Sequence, residues 1–151
     1  MSLYVRQSCA EDPVLLAPYL RQADRNEVEA ASGATPLEAL RQGYELSTDP
    51  RTVHENGYPI AMFGVSALGR GVGAPWLLGS GQVEVNWFTF VRRSRDEFAK
   101  LRAGWRLLTN FIDERNTLHH RWIRWLGFEM VERVERYGKG GLPFWRFELR
   151  V

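Results

Sequence analysis

Residues 51–65 constrain this chain more than any other stretch. Residues 51–55 read as a strand, Asn56-Gly57 suits the two-residue hairpin turn whose central positions both need positive φ, and residues 58–65 form a nearly continuous apolar strand. Gly69-Arg70-Gly71-Val72-Gly73 makes a second turn. Trp76-Leu77-Leu78 is then a third strand, closed by Gly79-Ser80-Gly81. The middle of the chain is therefore a β meander.

Before the meander, residues 3–7 alternate apolar and polar as a short strand, and Asp12-Pro13 reads as an N-cap with proline at the first helical position. The spacing of Val14, Leu15, Tyr19 and Leu20 predicts a helix to about residue 23, which Pro18 kinks or splits. Thr35-Pro36-Leu37-Glu38 is a capping-box start for a second helix through Tyr44. After the meander, Trp87, Phe88, Val91, Phe98 and Leu101 mark a long amphipathic helix. The last third reads as a strand over 107–112, a helix over 116–126 ended by Gly127 as C-cap glycine, and strands over 128–136 and 144–149. With no repeat, low-complexity tract or linker, this order predicts one α/β (α+β) domain over residues 1–151. Its sheet is mixed and mainly antiparallel, of about six to seven strands, flanked by about four helices.

A hydrophobic content of 44% over 151 residues, with 13% of the chain aromatic, suffices for a real core. No run approaches the roughly 18 apolar residues of a membrane span, and residues 1–6 lack a signal-peptide core, so no membrane partner is expected. The single cysteine, Cys9, rules out an internal disulfide. With three His and no C-x-x-C spacing, no structural metal is expected. All the basic residues except Lys100 and Lys139 are arginines, whose planar forks match phosphate geometry. Arg92, Arg93, Arg95, Arg102 and Arg106 give the central helix a partly basic face. Asp96 and Glu97 interrupt it, so it reads as a solvated surface and nucleic acid is not the expected partner.

The element order resembles that of the GNAT acetyltransferases along essentially the whole chain. Asn116-Thr117-Leu118-His119-His120-Arg121-Trp122-Ile123-Arg124-Trp125-Leu126-Gly127-Phe128 is similar to that family's C-terminal pattern, an Asn before a helix closing with Leu-Gly-Phe. The resemblance implies a site for the acetyl-CoA pyrophosphate on backbone N–H groups at the start of the central helix, in a loop of pattern Q/R-x-x-G-x-G/A. Gln82-Val83-Glu84-Val85-Asn86-Trp87 stands there, with Val85 and Trp87 at both small positions and Glu84 adding negative charge. The nearest match, Arg70-Gly71-Val72-Gly73-Ala74-Pro75, lies in a hairpin and opens no helix. Ile123 occupies the place of the tyrosine that can protonate the leaving thiolate, and Trp76-Leu77-Leu78-Gly79 lacks the base carboxylate often carried on that strand. His119 is one turn from Ile123 and could substitute as an acid, although the plain reading of His119 and His120 is surface or interface histidines.

A second resemblance rests on Ala23-Asp24-Arg25-Asn26-Glu27-Val28, Ile60-Ala61-Met62-Phe63-Gly64-Val65, Trp76-Leu77-Leu78-Gly79, Phe90-Val91-Arg92-Arg93-Ser94-Arg95, Leu108-Thr109-Asn110 and Trp122-Ile123-Arg124-Trp125-Leu126-Gly127-Phe128. Together these are similar to the internal core protein A, or internal virion protein, family of T7-like podoviruses. That resemblance implies a phage-encoded, GNAT-like and catalytically inactive protein in virion morphogenesis. Its partners would be other virion or assembly proteins, its place the cytoplasm of the infected bacterium or the virion, and no cofactor is expected. Trp122, Trp125 and Trp145 are the candidate interface anchors. The alternative is a diverged acyl-CoA-dependent N-acyltransferase. Its cofactor would lie against Leu78, Gly79, Ser80 and Gly81, and Asn116, His119, Asp24 and Glu27 are the positions to test for catalysis.

Overall fold

The computed structural model describes residues 3–151. Seven strands form one sheet: β1 (Leu3–Gln7), β2 (Arg51–Glu55), β3 (Tyr58–Gly69), β4 (Val72–Gly79), β5 (Leu107–Asp113), β6 (Glu129–Tyr137) and β7 (Leu142–Arg150), in the order β1-β2-β3-β4-β5-β7-β6. Every neighbouring pair is antiparallel except β4 and β5. Helices α1 (Asp12–Leu16), α2 (Gln22–Ser32) and α3 (Pro36–Leu46) precede the meander. A single turn, α4 (Gln82–Val85), leads into the long α5 (Trp87–Arg102), and α6 (Thr117–Trp125) follows β5. No helix among the described residues is long and apolar enough to cross a membrane.

The continuous apolar run of β3 follows from burial on both faces. Phe63 and Val65 pack with Val91 and Phe98 of α5 and Trp122 of α6, whereas Met62 packs with Leu16, Leu20 and Leu40 beside α1 and α3. An aromatic chain runs through the first core: Phe63 and Phe98 both meet Trp122 edge-on at 6.4 Å, and Phe128 meets Phe98 and Phe147. The indole N–H of buried Trp122 donates to Ser94 Oγ at 3.0 Å, so its one polar group is satisfied.

The strong local signals took the predicted form. Asn56 and Gly57 have φ of 51° and 83°, as the hairpin turn requires. Thr35 and Glu38 exchange both capping-box bonds, and Gly127 ends α6 with φ 97°. Other expectations fail for tertiary reasons. Asp12 does not cap α1; its carboxylate turns back to accept from Arg6, Thr52 and the Cys9 amide. Pro18 does split the first helix, as expected, into α1 and a 3-10 turn over 17–19, but the polar run that follows is an additional helix, α2. Phe88, expected on the apolar face of α5, is 84% exposed, and Trp122, an expected interface anchor, is buried.

β4 and β5 pair only at Val72↔Leu107 and Gly73↔Leu108 and then separate. Continued, that register would set Ala74 against Thr109 and then Pro75 against Asn110. Proline has no N–H for the parallel ladder, and the Asn110 side chain instead donates to the Pro75 carbonyl at 2.9 Å. From there the two strands enclose a cleft of ≈ 250 Å3, with Leu77, Leu78 and Ile112 on the strands, Ile123 on α6 and Glu27 on α2 among its walls.

Candidate functional site: the splay between β4 and β5

The Ser80 amide donates to Ile60 of β3 at 2.8 Å, so by strand alternation the N–H and C=O groups of Leu77 and Gly79 face the splay. Such groups in an interior need partners. α2 supplies them to Gly79. The Gly79 N–H donates to Asp24 Oδ2 at 2.8 Å, and the Arg21 N–H donates to the Gly79 carbonyl at 2.8 Å.

Asp24 is fully buried, and its other oxygen accepts from two more donors, Arg21 Nη1 at 3.0 Å and Asn116 Nδ2 at 3.0 Å, with His119 Nε2 at ion-pair distance, 3.2 Å. Glu27, one turn along α2, accepts from the Asp113 amide at 3.1 Å and from Asn116 Nδ2 at 3.3 Å, and stands 3.6 Å from His119 Nδ1. Arg21, only 8% exposed at its side chain, also donates through Nε to Glu84 of α4 at 2.9 Å. One network therefore ties α2 to β4, to α4 and to the start of α6.

The four residues singled out for test, Asp24, Glu27, Asn116 and His119, are brought together here. His119 is buried, which corrects the surface reading: as the third residue of α6 it turns inward toward α2, whose carboxylates offset its burial. Burial alone pushes the His119 pKa down, but Asp24 and Glu27 outweigh it and hold it above the ordinary value. His120 turns the other way, toward the Asp113 carbonyl, and burial lowers its pKa. Sequence reasoning missed Arg21, which carried no signal beyond lying one helical turn before Asp24. The carboxylate missing from β4 is supplied beside its last residue by Asp24 from α2.

Comparison with solved structures gives the architecture its family setting. The ribosomal-protein-alanine N-acetyltransferase of Brucella melitensis is similar over 98% of this chain and 99% of its own, with TM-score 0.76 and 15% identity. A GCN5-related N-acetyltransferase from Kribbella flavida is similar over 99% and 98%, with TM-score 0.71 and 16% identity. The chain has the GNAT fold. A GNAT acetyltransferase from Elizabethkingia anophelis, with acetyl-CoA bound, has the same fold at TM-score 0.67 and 10% identity, over 99% of this chain and 98% of its own. No family model matches the sequence, and no curated protein is significantly similar to it.

The residues of this GNAT cleft do not fit the diphosphate of an acyl-CoA. Of the amides from residue 79 to 86, only that of Gly81 lacks a partner among the described residues. Gly79 and Ser80 donate to Asp24 and Ile60, Gln82 to Ser80 Oγ, and Val83 to Asn86 to carbonyls of residues 80–82. This corrects the expectation that Gly79, Ser80 and Gly81 together supply backbone donors: the chain has folded the loop into α4 and consumed them. Leu78, the fourth cofactor candidate, is buried beside Leu20 and Met62. Beyond α4, Asn86 spends its side chain on Glu55 and the Gln82 carbonyl, so Glu84 and Glu55 both stand near the start of α5. Among the described residues no cluster is placed to hold a metal ion.

Two outcomes follow from this network. Asp24→Asn replaces an acceptor of three bonds, also the ion-pair partner of His119, with an amide that must turn N–H groups toward other donors, so denaturant unfolding should show a loss of about 3–5 kcal/mol. His119 carries the pH dependence on the alkaline side. Its folded pKa lies above the unfolded value of about 6.5, so its contribution is complete below that pH and is lost as pH rises through the folded pKa. Buried His54, whose pKa burial and Arg6 depress, works in the opposite sense and removes stability as pH falls below about 6.5. Melting temperatures across pH should therefore fall on both sides, and His119→Gln should flatten the alkaline limb alone.

Proposed function

We propose that this protein uses the GNAT fold without acyl transfer and works through contacts with other proteins. One observation carries the reading: the amides from residue 79 to 86 that would face an acyl-CoA diphosphate are bonded within the chain, apart from Gly81, with Arg21 and Glu84 across the same place. Ile123, at the position of the thiolate's proton donor, is buried in the cleft wall and has no proton to give. The finer statement, that the contacts are made during assembly of a phage head or its internal core, rests on the resemblance of the segments around Asp24 and Trp122 to the podovirus internal virion proteins. Trp125, 51% exposed on α6, is the anchor that remains available for contact, since Trp145 is half-buried with its N–H on Glu114.

A second reading has its own support. The neighbours in fold are acetyltransferases along their whole length, and the β4–β5 splay is retained, with His119 and two carboxylates beside its cleft. These comparisons favour a diverged N-acyltransferase. Calorimetric titration with acetyl-CoA and free CoA separates the two. The closed cleft predicts no saturable heat up to millimolar ligand and no rise in melting temperature, and clear saturable binding would replace the non-catalytic reading with the enzyme. The assembly role predicts the chain in the mass spectrum of purified particles; absence from particles whose yield is unchanged by deleting the gene sinks that role.

A further inference from the structure

α5 and α6 lie side by side on the sheet, and their outer surfaces carry arginines that form no salt bridge among the described residues. Arg92, Arg93, Arg95, Arg121 and Arg124 are exposed, and Arg102 is half-buried. Among the described residues none of these has a carboxylate within salt-bridge reach, whereas Arg6, Arg21, Arg51, Arg115, Arg133 and Arg146 all do. Five basic residues against two acidic on α5, and two against none on α6, give the pair a net charge of +5 on a chain whose total is +2. The remainder of the molecule is therefore net acidic, and the positive charge is gathered on one face.

Glu97 does not interrupt this face, whereas Asp96, one helical turn from Arg92, stands at its outer edge. The Arg95 guanidinium lies over the Trp125 ring, 5.3 Å from its centroid, so that flank of α5 looks toward α6. Glu97 holds Lys100 and Arg51 of β2, so it belongs to the opposite flank. With about 100° per residue, Phe88, Arg92, Arg95 and Arg102 fall within about 80° of one another on the side toward α6, and Asp96 lies about 40° beyond Arg92. The stripe runs for roughly 21 Å along α5, and Arg121 and Trp125 of α6 are exposed beside it.

Two large rings stand on this basic surface: Phe88 is 84% exposed and Trp125 51%, with Arg95 over one face of the indole. Arginine forks match phosphates, and exposed flat rings match the faces of unstacked bases. A duplex keeps its bases stacked inside and offers the rings nothing. An acidic protein segment offers the arginines carboxylates but has no regular series of flat groups for Phe88 and Trp125. We propose that the α5–α6 face binds single-stranded nucleic acid, with Arg92, Arg95 and Arg121 on phosphates and Phe88 and Trp125 stacked on bases. The surface lies outside the β4–β5 cleft and stands whether or not that cleft takes an acyl-CoA.

Fluorescence anisotropy of a labelled thymidine oligonucleotide of about 20 residues, titrated with the full chain, tests the proposal. Saturable binding should weaken between about 50 and 200 mM salt, with a log–log slope near −0.7 per phosphate contact. The triple variant Arg92→Ala, Arg95→Ala, Arg121→Ala should reduce that slope by about 2 and weaken binding by about tenfold or more at the lower salt. Trp125→Leu should weaken binding about fivefold or more at every salt and leave the slope unchanged. Arg136→Ala with Arg150→Ala, on β6 and β7, should bind as the parent does, and circular dichroism confirms that each variant is folded. No binding at the lower salt overturns the proposal, as does a triple variant that binds like the parent. Equal or tighter binding of a duplex of the same length also overturns it, and so does competition by polyglutamate as effective, charge for charge, as the oligonucleotide.

Discussion

When two parallel strands separate inside a protein, their backbone N–H and C=O groups lose partners in a place where water cannot fully replace them, and something must fill the gap. In this chain Pro75 starts the separation by removing the donor that the next rung would need, and Asn110 covers the carbonyl left behind. Farther along, Asp24 and Arg21 of the α2 region take the N–H and C=O of Gly79. A buried carboxylate that accepts one backbone bond still has capacity to satisfy, and Arg21, Asn116 and His119 gather around Asp24 for that reason. The placement of α2, the entry to α6 and the closure of α4 all depend on how this gap is filled.

The consequence for function is a matter of competition for donors. In a GNAT enzyme the amides leading into the central helix are left free for phosphate; here an extra helical turn at residues 82–85 ties those of residues 82–86 into local bonds, and Arg21 meets Glu84 across the opening. The fold is retained while the interaction that usually gives it a cofactor is absorbed into stability. Charge is also divided between the two sides of the molecule. The splay is lined with carboxylates held by internal partners, and the α5–α6 face carries arginines with none.

Much of the fold was legible because it is written in local chemistry. Asn56-Gly57, the Thr35–Glu38 capping box and Gly127 each act within four residues of themselves, and each appears in the structure as expected. The errors lie where distant partners decide. Asp12 has the composition of a cap, but Arg6 and Thr52 claim its carboxylate. Phe88 has the spacing of a core residue, yet α4 turns the start of α5 so that Trp87 packs inward and Phe88 points to water. The candidate site was half visible: Asp24, Glu27, Asn116 and His119 could be picked out as polar positions worth testing. Nothing local said that they touch, that His119 is buried, or that Arg21 joins them.

The sequence by itself determined the succession of strands along the chain, the turns and the absence of small residues at the phosphate loop, because these depend on backbone preferences and side-chain size at fixed positions. Only the tertiary structure decided that Asp24 on α2 would reach Gly79 across 55 residues of chain, and that Glu97 would turn away from the arginine stripe to Arg51 of β2. Those outcomes depend on which groups are left without partners once the sheet has formed and the helices have docked. A buried charge takes the nearest donors that packing brings to it, wherever they lie in the sequence.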